Sequence, residues 1–317
     1  MGEVCKPVRD RIDIWIDCDP GIDDAVMLAM VAASPDVLEL HGVSSVAGNL
    51  PSDVVTENVL RLAAWLGLPQ VPLCRGARRP LLRPAQDAAD VHGEMGLGRV
   101  VLPWGDRALD ARPAVVAMHD AIMALPAGRR MTLVPTGPLT NIALLLRVFP
   151  EVEERIERIV LMGGSTVGGN VTPTAEFNIW GDPEAAQIVY ESGLPIVMCG
   201  LDVTLKCGLS PAQLKALAAS ANEHEAAIAE MLSFYQPVDS EWRHGVCVIH
   251  DASTIIYLTH PELFGGERTA IRVDCSDAGR GTTARVDVPQ GQRNVYLLNE
   301  VDMGAFQRVL LGKLAQL

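Results

Sequence analysis

Four aspartates fall within eight residues near the start of this chain: Asp17, Asp19, Asp23 and Asp24, in the run Ile16-Asp17-Cys18-Asp19-Pro20-Gly21-Ile22-Asp23-Asp24-Ala25. Like charges this close raise one another's pKa and oppose folding unless something positive sits among them. The run itself offers no lysine, arginine or histidine, so a divalent cation is the simplest partner. A donor set of hard carboxylate oxygens favours calcium or magnesium over zinc. Capping of a helix by acids in its first turn would account for Asp23 and Asp24, but it leaves Asp17 and Asp19 unexplained.

The elements around the run explain how the acids meet. Residues 12–16 read as a buried strand, Pro20-Gly21 as a turn, and residues 25–33 as the body of an apolar helix. Strand residues two apart share a face, so Asp17 and Asp19 point the same way, and the helix start sets Asp23 and Asp24 opposite them. Further strands are predicted at 38–46, 71–74, 131–135, 158–162 and 196–199, with helices at 23–33, 52–66, 113–125, 139–149 and 183–192. That alternation predicts an α/β chain, one open and mostly parallel sheet with helices on both faces, and a single domain over 1–317. A few late strands, at 268–274, 284–288 and 294–298, look antiparallel, and a helix at 301–314 closes the chain. Ligands of such sheets bind beyond the carboxyl ends of the strands. The acid cluster, Gly48-Asn49, Thr136-Gly137-Pro138-Leu139-Thr140-Asn141 and the loop 163–178 all follow predicted strands and so converge on that edge. Residues 77–104 lack periodicity and carry His92-Gly93-Glu94-Met95-Gly96; a loop that long reads as a flap over a site. Residues 211–245 read as a helical excursion.

Composition narrows the partners. A formal charge of −13 argues against nucleic acid, because neutralising phosphates takes a basic face. No apolar run approaches the roughly 18 residues that cross a bilayer, and the first residues have no apolar core of a secretory signal, so no membrane partner and a cytoplasmic location are expected. The seven cysteines form no CxxC pair and read as buried reduced thiols.

Taken in order, the DxDxxxDD cluster, Gly48-Asn49, Thr136 to Asn141, Glu176-Phe177-Asn178 and His250-Asp251 resemble the nucleoside hydrolase family, the inosine-uridine preferring group, with similarity read from residue 12 to about 263. The resemblance implies calcium held by Asp19, Asp24, the Thr136 carbonyl and Asp251, with water and a ribose diol completing the shell. It implies hydrolysis of the N-glycosidic bond of ribonucleosides, Asp19 taking a proton from a metal-bound water and His250 protonating the departing base. Asp23 and Asn178 would grip the ribose hydroxyls with Asn49 near them, and Glu176 and Asn170 the 5′-hydroxyl. His92 would stand near the base, and Tyr235 and Trp242 are candidates to stack on it. Asp17 is assigned to orienting the cluster rather than to binding. A carboxylate at the 5′ end repels phosphate, and the chain has no Walker-type loop, so nucleosides rather than nucleotides are expected. A homodimer or homotetramer is also implied.

Two other readings compete. A haloacid-dehalogenase-type phosphatase would use Asp17 as nucleophile, but its further Ser/Thr, Lys and acidic pair have poor candidates here. A non-catalytic nucleoside or pentose binder would keep the cation site without turnover.

Overall fold

The computed structural model describes residues 11–235 and 246–317. Its strands are β1 (Ile12–Cys18), β2 (Leu38–Ser45), β3 (Leu73–Arg75), β4 (Met131–Pro135), β5 (Ile156–Met162), β6 (Ile196–Cys199), β7 (Gly208–Leu209), β8 (Cys247–Val248), β9 (Phe264–Val273), β10 (Thr283–Val286) and β11 (Val295–Val301). Nine of them form one open sheet in the order β10-β9-β11-β6-β5-β4-β1-β2-β3, and β7 and β8 pair separately. From β3 to β6 every neighbouring pair is parallel, and β11 joins β6 in the same sense. β9 runs antiparallel to both β10 and β11, which places the late antiparallel strands at one edge.

The sequence of β1 shows why both faces are covered. Ile14, Ile16 and Cys18 pack into one apolar cluster and Trp15 into another, as the period-two alternation of a strand requires when each face meets helices. The first cluster takes in α1 (Ile22–Ala32), buried from Ile22 to Val31. A helix apolar all round must be enclosed, and here the helices Glu223–Tyr235, Ala252–Thr259 and Met303–Leu314 enclose it. Helices Ala114–Ala124, Thr140–Val148 and Pro183–Tyr190 cover the opposite face.

Strand order fixes the position of the site. From β1 the chain winds outward through β2 and β3, then returns to place β4 on the other flank of β1. The reversal opens a crevice between the carboxyl ends of β1 and β4, where open α/β sheets bind their ligands. The acids leave β1 and Thr136 leaves β4 at that point.

Some expectations are revised. β9 begins at Phe264, four residues before its predicted start, because Gly265 to Glu267 pair with β11. The final helix starts at Met303 rather than 301. Residues 77–104 contain a short helix, Ala89–His92, and bury Leu97 and Leu102 in the core. The excursion after 211 comprises helices Pro211–Ala218 and Glu223–Tyr235, and its remainder lies outside the described residues. No helix among the described residues is long and apolar enough to cross a membrane. None of the six described cysteines is in a disulfide among the described residues.

Candidate active site

A cavity of about 590 Å³ opens above the β1/β4 crevice. Its lining includes Asp23, Asn49, His92, Thr136, Asn170, Glu176, Asn178, Tyr235, His250 and Asp251. The exits of β1, β2, β4, β5 and β8, the covering segment 87–92 and the helix ending at Tyr235 supply them. Asp17, Asp19 and Asp24 are fully buried and do not line the cavity. Trp242 lies outside the described residues.

Asp19 is held from both sides. Its Oδ2 accepts the Asn49 backbone N–H at 2.7 Å, and Gly48 and Gly137 crowd it so closely that a Cβ on Gly48 would stand 2.0 Å from Oδ2 and one on Gly137 2.7 Å from Cγ. Its Oδ1 is buried with no hydrogen-bond partner. Such an oxygen is costly unless a cation or proton reaches it. Asp24 Oδ2 accepts the Gly21 N–H at 3.0 Å, and its Oδ1 accepts Thr136 Oγ1–H at 2.8 Å. Asn49 Nδ2 donates to the Asp19 carbonyl and to Asp24 Oδ2, both at 3.2 Å, so one amide registers the two acids against each other.

Carboxylate oxygens of Asp23, Asp24 and Asp251 come within 4.8 Å of one another, all three residues buried. The cavity lining contains no lysine or arginine among the described residues. Burial raises every acid of the group. It takes Asp23 to about 7, with the Asp24 charge adding to it, and Asp24 to about 6. Asp19 is pushed well above its ordinary value by burial and then Asp24, and Asp251 likewise by burial and then Asp23. The donor chemistry fits a hard divalent cation. Oxygens at roughly 2.3–2.6 Å from calcium stand at most about 5 Å apart, which the trio satisfies, and the orphaned Asp19 Oδ1 is a further oxygen on the same turn. The Thr136 carbonyl, the other proposed ligand, accepts Asn178 Nδ2–H at 2.8 Å and keeps a second lone pair.

Asp17 has a different setting. Its Oδ1 accepts from Ser44 Oγ and from Asn141 Nδ2, the latter at 2.8 Å, and burial takes it up to about 7. Its Oδ2 is buried without a hydrogen-bond partner, as Asp19 Oδ1 is, but Ser44 and Asn141 hold the carboxylate on the side of β2 and the helix Thr140–Val148 at the strand end. Its backbone carbonyl accepts the Thr136 N–H at 2.9 Å, which ties the turn after β4 to the end of β1.

The far wall is more committed than its sequence suggested. Glu176 accepts three backbone N–H bonds, from Gly164 and Asn178 at 2.8 Å and from Ile179 at 3.2 Å, and so caps the helix Phe177–Gly181. A carboxylate has about four acceptor positions, so one remains for a ligand. Asn170 Oδ1 accepts the Phe177 N–H at 2.9 Å, steadying the cavity rim.

Two histidines face the other end. His92 Nδ1 accepts the Ile22 N–H at 3.1 Å, so the neutral ring carries its proton on Nε2. A Cβ on Gly21 would meet that Nδ1 at 2.4 Å, so the approach requires glycine. His250 Nδ1 lies 2.8 Å from Thr204 Oγ1. Burial lowers His92 to about 3, with the nearby His250 adding to it, and burial lowers His250 to about 4. Both are neutral near pH 7. Tyr235 stands with its ring 5.4 Å from that of His92.

Sequence reasoning missed Thr204, Ser44 and the acids Asp87 and Asp90 of the covering segment, which also line the cavity. Thr204 ends the short helix Leu201–Thr204 that follows β6, so the rule that ligands sit beyond strand ends could have flagged it.

Comparison with known proteins agrees with this geometry. The family model described as inosine-uridine preferring nucleoside hydrolase matches residues 14–308, so the match extends through the late strands, well past the 263 expected from motifs. The pyrimidine-specific ribonucleoside hydrolase RihA of Salmonella schwarzengrund is 43% identical over 255 residues, covering 80% of this chain and 81% of its own. That of Photobacterium profundum is 39% identical, covering 95% and 98%. Among solved structures, a purine-preferring ribonucleoside hydrolase from Gardnerella vaginalis superposes with a TM-score of 0.88 at 30% identity, over 96% of this chain and 98% of that one. The chain belongs to the inosine-uridine preferring nucleoside hydrolase family and is an N-glycosyl hydrolase of nucleosides.

Proposed function

We propose that the enzyme hydrolyses pyrimidine ribonucleosides to ribose and free base, and that it depends on calcium. The observation that carries the cation is the group of buried acids with no lysine or arginine in the cavity lining among the described residues, together with the unpartnered Asp19 Oδ1. Asp19, Asp24, Asp251 and the Thr136 carbonyl are the proposed ligands, and Asp23 stands close enough to share the ion or the hydroxyls beside it. When bound, calcium would polarise a water and accept vicinal hydroxyls in place of solvent.

The chain's own residues do the rest. Asp19, fixed by the Asn49 N–H and the flanking glycines, accepts a proton from the attacking water. Asp23 and Asn178 hold the 2′- and 3′-hydroxyls, and Glu176 takes the 5′-hydroxyl at its remaining acceptor position. The acidic floor favours the positive charge that develops on the sugar in an oxocarbenium-like transition state. Departure of the base leaves negative charge at the opposite end. His92 Nε2–H can donate a hydrogen bond there, and His250, whose Nδ1 lies beside Thr204 Oγ1, would protonate the base from its imidazolium form, after first taking up a proton and returning to the neutral ring as it gives that proton away. Burial keeps both rings neutral in the free enzyme near pH 7, so hydrogen-bond donation is the support they offer as they stand, and the acid role of His250 requires a proton taken up during the cycle.

The pyrimidine preference rests on the relatives named pyrimidine-specific. Ribose release from uridine, cytidine, inosine and 2′-deoxyuridine tests the reading. Uridine or cytidine should outpace inosine, and loss of the 2′-hydroxyl should slow hydrolysis by roughly a hundredfold or more, because the site's polar groups are then left unpaired. Equal rates on uridine and 2′-deoxyuridine would remove the diol from the account. Phosphate release from simple phosphate esters, without ribose release, would favour the phosphatase reading instead.

A further inference from the structure

The segment that brings Asp87 to His92 over the cavity has its near end fastened outside the site just described. Asp182 is fully buried. Its Oδ2 accepts the Leu81 N–H at 2.9 Å and Thr140 Oγ1–H at 2.6 Å, and its Oδ1 accepts the Ala185 N–H at 3.1 Å. Two residues beyond Leu81, Arg83 pairs with Glu184 at 2.9 Å and Asp277 at 3.0 Å and donates to the Cys275 carbonyl. Between the two anchors Leu82 is 78% exposed. Leu81 beside it packs against the apolar cluster of that face, and the polar contacts of Leu81 and Arg83 add to that anchorage.

Residues 84–87 are exposed, and the segment is next fastened where the Ala88 N–H donates to the Asn49 carbonyl at 2.9 Å and His92 Nδ1 meets the Ile22 N–H. The cover is therefore a short bridge, one end on the acid cluster and the other on Asp182 and Arg83. Capping of helix Pro183–Tyr190 explains the Asp182 bond to Ala185. It explains neither the bonds to Leu81 and Thr140 nor the Arg83 pairs.

We infer that Asp182 and Arg83 are positioning residues, a clasp that sets how the segment 84–92 sits over bound nucleoside. The inference rests on the reading that this cavity takes a nucleoside. A loosened clasp forfeits preorganisation, which appears as weaker substrate binding more than as slower chemistry.

The test uses Arg83→Met, which leaves the helix cap intact, together with Thr140→Val and Asp182→Asn. Steady-state kinetics on the best riboside and hydrogen exchange across residues 81–92 are the readouts. Arg83→Met should raise KM by about fivefold or more with kcat within about twofold, Arg83→Lys should recover part of the loss, and exchange across 81–92 should rise. Thr140→Val should act in the same direction. Asp182→Asn should add a fall in Tm from the weakened cap. Exchange unchanged in Arg83→Met and Thr140→Val would show that no clasp exists. Faster exchange with KM unchanged would show that it positions nothing. Should the wild-type enzyme release ribose from no riboside, the nucleoside reading fails, while the exchange measurements still decide whether the clasp holds the segment.

Discussion

Asp19→Asn is expected to lower kcat by roughly 10³–10⁴-fold, the scale of a lost general base, equivalent to about 4–5.5 kcal/mol of transition-state stabilisation. The substitution is nearly isosteric, which matters because Gly48 and Gly137 leave no slack around this side chain. An amide in the same place can still accept the Asn49 N–H through its oxygen. Its nitrogen, turned to where Oδ1 now lies unpartnered, can neither bind a cation nor accept a proton. Calcium affinity and kcat should therefore fall together. Near-normal turnover in Asp19→Asn would remove this residue from the base role.

Removing the cation should have an effect at least as large, with a pH signature. Asp17 and Asp23 hold protons up to about 7 and Asp24 up to about 6 in the folded chain, against an ordinary 3.8. Raised carboxylates stabilise the fold through the protons they retain. That contribution is complete below the unfolded value and is lost as pH climbs through the folded values. Cation-free protein should therefore lose Tm steadily between about pH 5 and pH 8. Calcium replaces the protons of Asp23 and Asp24, though not that of Asp17, so the Tm rise it produces should be larger at about pH 8 than at about pH 5, and chelator should suppress ribose release to near background. A calcium-induced shift equal at both pH values would mean that the ion binds somewhere other than this group.

The acid cluster was legible because four carboxylates on one strand end and one helix start carry no basic residue among them, and the structure brings Asp23 and Asp24 together with Asp251 while Ser44 and Asn141 take Asp17. The parallel sheet was legible as well, since β1, β4, β5 and β6 each carry a short, largely apolar run between helical patterns. Features made by distant pairing were not. Gly265-Gly266-Glu267 has the composition of a turn, yet becomes strand because β11 lies beside it. Asp17 could be set apart from the ligands, but nothing local announces that Ser44 of β2 and Asn141 would hold it. Glu176 suggested a contact for substrate, whereas most of its acceptor capacity serves the backbone of its own loop. The covering segment lacks periodicity because long-range contacts place it: Asn58 Nδ2 donates to the Met95 carbonyl at 2.9 Å, and Arg61 reaches the Leu102 carbonyl.

Calorimetric titration of calcium into chelator-treated protein, with ribose release followed in parallel, tests the central claim most directly. The account predicts one equivalent bound per chain, activity returning in proportion to occupancy, and loss of both in Asp24→Asn. Full activity in the presence of chelator, or no calcium binding by the wild-type chain, would contradict it.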